Sequence, residues 1–468
     1  MPSHDDTLSS PPMAQSHEEE GDLPPLPLPA GITSRFVDTR PFGLRYHVLE
    51  AVPSSSSSPS SSSSPSASSS TPIAPSPRPP LVLLLHGFPN LAYDWRFVMP
   101  GLARAGYYAV AFDLRGFGRT TMTAADDDPS SSSSGDGFTP LAMVRDVVAL
   151  VHALGYRSVH TLVGHDLGAF AAAICALARR DLVKSLVLMA HPFRGPPKAP
   201  FGGAASASLP SLLLPPEAPA ASGSAADRFD RLRDPDIHAS LRALDPPRQH
   251  YKWYNASPGA AAEWSYPQGE PLREFLRGYF HLKSGDACRR DEVDDDDGPR
   301  PLGAWTAERL AVMPHYYIMR AGMSMRDNVA LDMAAEQDTG PPQSPQPQPP
   351  EWLTERDLDV YTAEWTRTTF GPALRWYAAL TGDSSASALE LRALASAKIG
   401  VPTGYVSGAR DWGTYQDPGA LEAMEEGESV EPGCYAGTAL LEGAGHWVNM
   451  ERPGACVDEI LRVAAMVV

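Results

Sequence analysis

The sequence predicts an α/β protein: a parallel sheet with helices on both faces, interrupted by a long helix-rich insertion. Three observations predict it. Short, continuously apolar runs recur, each closed by Gly, Pro or Asp; helical stretches lie between them; and more than 200 residues of different character separate the fourth run from the fifth. A strand buried on both faces reads as an unbroken apolar run, and parallel neighbours need a helix to cross between them. The first run is Leu81-Val-Leu-Leu-Leu85, ended by Gly87 and Pro89. The second, Tyr107–Phe112, is closed by Asp113, and Val159–Val163, Ser185–Met189 and Thr403–Ser407 complete the set. Helices are predicted over Leu141–Leu154, Ala169–Arg179 and Cys456–Val467. The long gap reads as an inserted lid and not as more sheet.

Composition fits this outline and narrows the function. The 48 prolines and 38 glycines are concentrated in patches, so they mark chain between elements and not the elements themselves. Residues 1–30, acidic and Pro-rich, read as a disordered tail. Residues 31–192 read as the first part of the core, with Ser/Pro insertions at 53–80 and 126–137. A helical cap is expected over 193–395, carrying low-complexity stretches at 195–224, 294–297 and 340–350, and the core resumes over 396–468. The formal charge of −18 argues against a partner that is nucleic acid, which demands a basic face. No apolar run is long enough to span a bilayer and no basic leader precedes one, so a soluble, cytoplasmic protein is expected. Cys175, Cys288, Cys434 and Cys456 are too scattered for a disulfide framework or a zinc site.

The chemistry concentrates in Gly164-His-Asp-Leu-Gly168, directly after an apolar run and directly before a small-residue helix. Glycine on either side of a central residue at a strand-to-helix turn is the nucleophile elbow, which lifts that side chain above the sheet at a helix N-terminus. Here the side chain is a carboxylate, Asp166. A serine there attacks acyl carbon; a carboxylate displaces a leaving group from an sp3 carbon and becomes an ester of the enzyme. The substrate then carries an epoxide or a carbon–halogen bond.

An ester must be hydrolysed, which calls for a base, an orienting acid and an oxyanion hole. His446, in Gly443-Ala-Gly-His-Trp447, stands on a Gly-rich loop ahead of the last helix and suits the base. Asp411, just past the fifth run, suits the acid that holds the imidazole tautomer. The chain order nucleophile, acid, histidine is that of a hydrolase elbow. The backbone amides of Leu167 and of Phe88, in His86-Gly-Phe-Pro89, are placed for the oxyanion hole. Gly116-Phe-Gly118 lacks the third glycine and the acidic partner of a dinucleotide site, and reads as a tight turn.

Taken in order, HGFP, DLRGFGR, VGHDLGA, SGARDW and GAGHW resemble the epoxide hydrolase branch of the α/β-hydrolase superfamily, over roughly residues 35 to 468. The resemblance implies a mostly parallel eight-stranded sheet with helices on both faces and a helical cap inserted after the sixth strand. It implies a cis Phe88-Pro89 peptide, and two cap tyrosines that hydrogen-bond the epoxide oxygen. Tyr377, in GPALRWY, matches one; Tyr251, in QHYKWY, matches the other, with Tyr254 as its alternative. Small-molecule epoxide and water are the implied partners, with no metal and no organic cofactor, and oligomeric state is left open. Leu167 departs from the pattern, since the family usually carries Trp after the nucleophile. The same residue bears on the alternative of a haloalkane or haloacid dehalogenase, which places Trp or Arg there to hold halide or carboxylate. A ligand-binding protein that has lost activity is the other alternative, and it is disfavoured because Asp166, Asp411 and His446 are all present.

Overall fold

The computed structural model describes residues 23–40, 43–53, 78–122, 137–198, 234–287, 298–339, 350–381 and 385–467. The low-complexity stretches 53–80, 126–137, 195–224, 294–297 and 340–350 lie outside the described residues except at their edges, as does Cys288. Eight strands make one sheet: β1 (Ile32–Asp38), β2 (Arg45–Ala51), β3 (Leu81–Leu85), β4 (Tyr108–Phe112), β5 (Thr161–His165), β6 (Leu186–Met189), and after the cap β9 (Thr403–Gly408) and β10 (Tyr435–Leu441). Their order is β1-β2-β4-β3-β5-β6-β9-β10, antiparallel from β1 to β4 and parallel from β4 to β10.

The apolar runs are apolar because both faces of each strand are covered. Leu81, Leu83 and Leu85 pack into one cluster with the helix Leu167–Ala178, while Val82 and Leu84 pack on the other side with Trp95, Met99 and the helix Pro453–Ala464. The predicted third strand starts two residues later than expected, because Val159 makes only an isolated bridge to Val183. The other runs fall within two residues of their predicted limits, as do Pro140–Ala153 and Leu167–Ala178; the last helix begins and ends three residues early, at the Pro453 break. The order reverses at β3, which has β4 on one side and β5 on the other, so chain leaving β3 and β5 diverges and opens a crevice at their C-terminal ends.

The long gap is helix-rich and adds no strand to the main sheet among the described residues; it also contains β7 (Arg248–His250) and β8 (Ile318–Arg320), a separate antiparallel pair, with β7 just ahead of the helix Tyr251–Asn255. One expectation is corrected. Residues 23–30, placed in the tail by their composition, lie against the core. Leu26 and Leu28 pack on it, the Pro24 carbonyl accepts from Arg119 at 2.7 Å and that of Pro27 from Tyr93 Oη at 3.2 Å. Proline lacks a donor but keeps its acceptor, so a Pro-rich strap can still be pinned by carbonyls. Among the described residues no helix is long and apolar enough to cross a membrane.

The cap is fastened to the core by aromatic and ionic contacts. Trp365 and Phe370 stack at 4.1 Å and meet Phe88 and Phe117 from the core side. Arg96, fully buried, donates to the Tyr93 and Trp352 carbonyls and sits 3.1 Å from Asp357 of the cap helix Glu355–Thr368. Removing one member of a buried pair strands the other charge. Arg96→Met is expected to lower the unfolding free energy by about 3 kcal/mol in urea titration, far beyond an exposed arginine such as Arg104; a loss within error of the Arg104→Met control would show that the pair does not hold the cap.

Candidate active site

Asp166 follows β5 and caps the helix Leu167–Ala178 in a conformation, φ 53° and ψ −117°, that L-residues rarely adopt. The glycines make it possible. A Cβ on Gly164 would lie 2.1 Å from the Gly168 carbonyl oxygen, and one on Gly168 would lie 2.4 Å from that of Leu85. A third glycine matters as much: a Cβ on Gly87 would lie 2.4 Å from the Cβ of Asp166.

The two oxygens of the carboxylate have different surroundings. Oδ1 accepts from the Leu167 amide at 2.6 Å and the Phe88 amide at 3.1 Å; the Phe88-Pro89 peptide is cis. Oδ2 stands 3.3 Å from His446 Nε2. On its other edge the imidazole meets Asp411, with Nδ1 3.1 and 3.2 Å from the two carboxylate oxygens. Asp411 is itself fixed by the Gly413 amide at 2.6 Å and Ser407 Oγ at 3.0 Å. The loop carrying His446 is held from below by His165, whose Nε2 lies 2.7 Å from the His446 carbonyl oxygen, and from above by the cap, where the Lys283 carbonyl accepts from the His446 amide at 2.8 Å. The sequence therefore brings Asp166, Asp411, His446, Phe88 and Leu167 to one point.

Both predicted cap tyrosines face that point. Asp166, Leu167, Tyr251 and Tyr377 line one cavity of about 260 Å³ with Phe170, Phe193, Trp376 and Leu380. The Tyr251 and Tyr377 rings cross at 74° with centroids 6.0 Å apart. Tyr254 is turned away; its hydroxyl donates to Glu263 at 2.6 Å and accepts from the Met325 amide. Among the described residues no group of three or more His, Cys, Asp or Glu side chains could hold a metal ion. Gly116-Phe-Gly118 turns around the carboxylate of Asp113, whose oxygens reach where a Gly118 Cβ would be.

Burial would raise Asp166, but the hydrogen bond and charge of His446, with the charge of Lys283, hold it well below the usual carboxylate range. Asp411 is likewise lowered, against burial, by His446 first. Burial and Lys283 push His446 down, and the two aspartates more than reverse this, so it lies above its ordinary value. Burial keeps Tyr251 and Tyr377 well above the usual phenol range, and therefore protonated.

Sequence reasoning did not find Lys283. It ends the cap helix Glu270–Leu282, is 3% exposed, and its ammonium sits 4.8 Å from the Tyr317 ring centre, with Tyr279, Trp447 and Tyr316 within 5.7 Å. Burial pushes it down to about 8, opposed by Asp166 and Asp411. Nothing in the local string HLKSGD distinguishes it from a surface lysine at a helix end. Gln416, five residues past Asp411, was also missed; it is buried, and its Oε1 accepts from Tyr251 Oη at 2.8 Å.

Known proteins share this arrangement's fold. The family described as the alpha/beta hydrolase fold matches residues 80–285. Epoxide hydrolase B of Mycobacterium tuberculosis is 30% identical over 385 residues, covering 81% of this chain and 89% of that protein. The chain belongs to the epoxide hydrolase branch of the α/β-hydrolase superfamily. Epoxide hydrolase 3 of Siraitia grosvenorii, another relative, is 28% identical over 80% of this chain and 88% of its own length. Among solved structures, an epoxide hydrolase from an endophytic Streptomyces superposes with a TM-score of 0.59 at 28% identity, covering 93% of this chain and 96% of that one.

Removing the ammonium removes a charge that opposes protonation of the neighbouring imidazole. In Lys283→Met the ionisation of His446, followed by NMR of selectively labelled histidine, is expected to move to higher pH, and Lys283→Arg is expected to leave it near the wild-type value. An unchanged or lower midpoint in Lys283→Met would show that the charge is not felt at the imidazole.

Proposed function

We propose that the protein opens an epoxide to a vicinal diol through an ester of Asp166. One observation carries this reading: the carboxylate is divided in function. With Oδ1 held by the Phe88 and Leu167 amides, Oδ2 is the oxygen left to face the cavity. Its lone pair attacks one epoxide carbon, the C–O bond breaks, and the electron pair stays on the ring oxygen, which remains tethered to the substrate. Tyr251 and Tyr377 donate to that oxygen, and one of them passes its proton to it; being neutral in the free enzyme, they already carry the proton this needs.

The second half-reaction uses the same oxyanion hole. His446 Nε2 takes a proton from water, Asp411 stabilises the imidazolium, and the hydroxide adds to the Asp166 carbonyl carbon. Charge then develops on Oδ1, where two N–H donors already point. The tetrahedral adduct collapses by breaking the carbonyl carbon–Oδ2 bond, the imidazolium returns its proton to the departing diol oxygen, and the proton left on the Asp166 carboxyl passes to the phenolate that had given its own to the ring oxygen, which restores carboxylate and phenol. Alkylation removes the Asp166 charge, a cause that raises His446, so the imidazole is the better disposed to be neutral when it must act as base.

The surroundings favour an epoxide over an organic halide. Leu167 offers no side-chain N–H, and Trp376, which does line the cavity, donates its indole N–H to the Arg115 carbonyl at 2.9 Å. A departing halide would find no free indole donor there, whereas an epoxide oxygen needs only the two phenols. The apolar lining by Phe170, Phe193, Trp376 and Leu380 suits an aryl or alkyl epoxide. The cytoplasm is the proposed compartment, in keeping with the free thiols of Cys175, Cys434 and Cys456.

Two experiments test the cycle. A single turnover of enzyme in excess over styrene oxide in 18O-water is expected to give unlabelled diol, the label entering Asp166; label in the first diol would mean direct attack by water. In His446→Gln, intact mass spectrometry is expected to find the Asp166 adduct accumulating as ester hydrolysis slows by at least about a hundredfold; absence of any adduct would favour the reading of an inactive binding protein.

A further inference from the structure

The hydroxyl of Tyr251 has only one proton, and in the free protein that proton is engaged. Tyr251 Oη donates to Gln416 Oε1 at 2.8 Å, so while that bond stands the proton is not available to an epoxide oxygen. Gln416 is 1% exposed, and its Nε2 is buried with no hydrogen-bond partner among the described residues. A primary amide has an accepting end and a donating end of nearly the same shape, and the last torsion of a glutamine side chain is soft and close to two-fold. Turning the amide over places an N–H against Oη and leaves the phenol's own proton free. A second buried amide, Asn255 on the short helix that carries Tyr251, is in the same condition: its Oδ1 is taken by Trp264 Nε1–H at 2.9 Å, and its Nδ2 has no hydrogen-bond partner among the described residues.

We propose that Gln416 is a positioning residue for ring opening: in the reactive arrangement its side-chain N–H donates to Tyr251 Oη, which directs the Tyr251 O–H at the epoxide oxygen. This rests on the reading of Asp166 as nucleophile given above. A donor on Oη also stabilises the negative charge that the phenol takes up as it passes its proton to the ring oxygen. Gln416 and Asp411 lie on one loop after β9, so the same turn of chain serves ring opening through Tyr251 and ester hydrolysis through His446.

The test separates the two half-reactions by stopped-flow single turnover with styrene oxide, using the fluorescence of cavity tryptophan for alkylation and its recovery for hydrolysis. Gln416→Leu removes the donor and is expected to slow alkylation about five- to tenfold, the equivalent of one neutral hydrogen bond, with ester hydrolysis unchanged. Gln416→Glu keeps the shape but can only accept, pins the Tyr251 proton to itself, and is expected to slow alkylation more than Gln416→Leu. In a Tyr251→Phe background, Gln416→Leu is expected to add nothing. Wild-type alkylation in either single variant, multiplying losses in the double variant, or hydrolysis slowed in step with alkylation would each overturn the proposal. If the unsubstituted enzyme forms no Asp166 ester, the underlying reading falls with it; if the ester forms and Gln416 behaves in one of those three ways, only the role of Gln416 falls.

Discussion

Asp166 is held in a backbone conformation that costs free energy, and the middle of the sheet is shaped by holding it there. Its amide donates to the Met189 carbonyl of β6, its carboxylate is gripped by amides from the ends of β3 and β5, and three glycines clear the space around it. The strain is tolerable only because β3, β5 and β6 are adjacent, buried on both faces, and in fixed register. A slip of β3 against β5 would carry Gly87 and Phe88 away from the carboxylate together. The apolar core and the strained turn are thus one mechanical object, with the first supplying rigidity and the second using it.

The parts of this fold that can be read from sequence are those in which one physical rule acts alone. β3, β4, β5, β6 and β9 are covered on both faces, so they appear as plain apolar runs. β1 is an edge strand with only Ile32 and Val37 buried and three exposed residues in a row between them, and β10 loses register between Tyr435 and Thr438; neither presents an unbroken run or a clean period. β7 and β8 are three residues each, too short for any pattern. The strap at 23–30 was misread because composition reports what a segment can bury by itself, while this segment is held by two donors, Arg119 and Tyr93, that the core supplies.

The candidate site divides along a similar line. Asp166, Asp411 and His446 each sit where a strand or a Gly-rich loop ends, so their neighbours in sequence announce them. The choice between Tyr251 and Tyr254 was not legible, because both stand on the same short helix and only its facing, set by the β7–β8 pair, turns Tyr251 inward. Lys283 and Gln416 were invisible for a stronger reason. Their environments are assembled from segments far apart in the chain, and a lysine caged by Tyr279, Tyr316, Tyr317 and Trp447 carries no local sign of that cage.

The joint between the cap and the histidine loop has a consequence for how the molecule can move. The Lys283 carbonyl holds the His446 amide, the Arg410 guanidinium holds the Gly285 carbonyl, and Glu451 accepts from Gly285, Gly445 and Trp447 together. Lifting the cap on that side would drag the histidine loop with it, so cap and base move as one piece: whatever shifts the end of the helix Glu270–Leu282 also shifts the imidazole relative to Asp166.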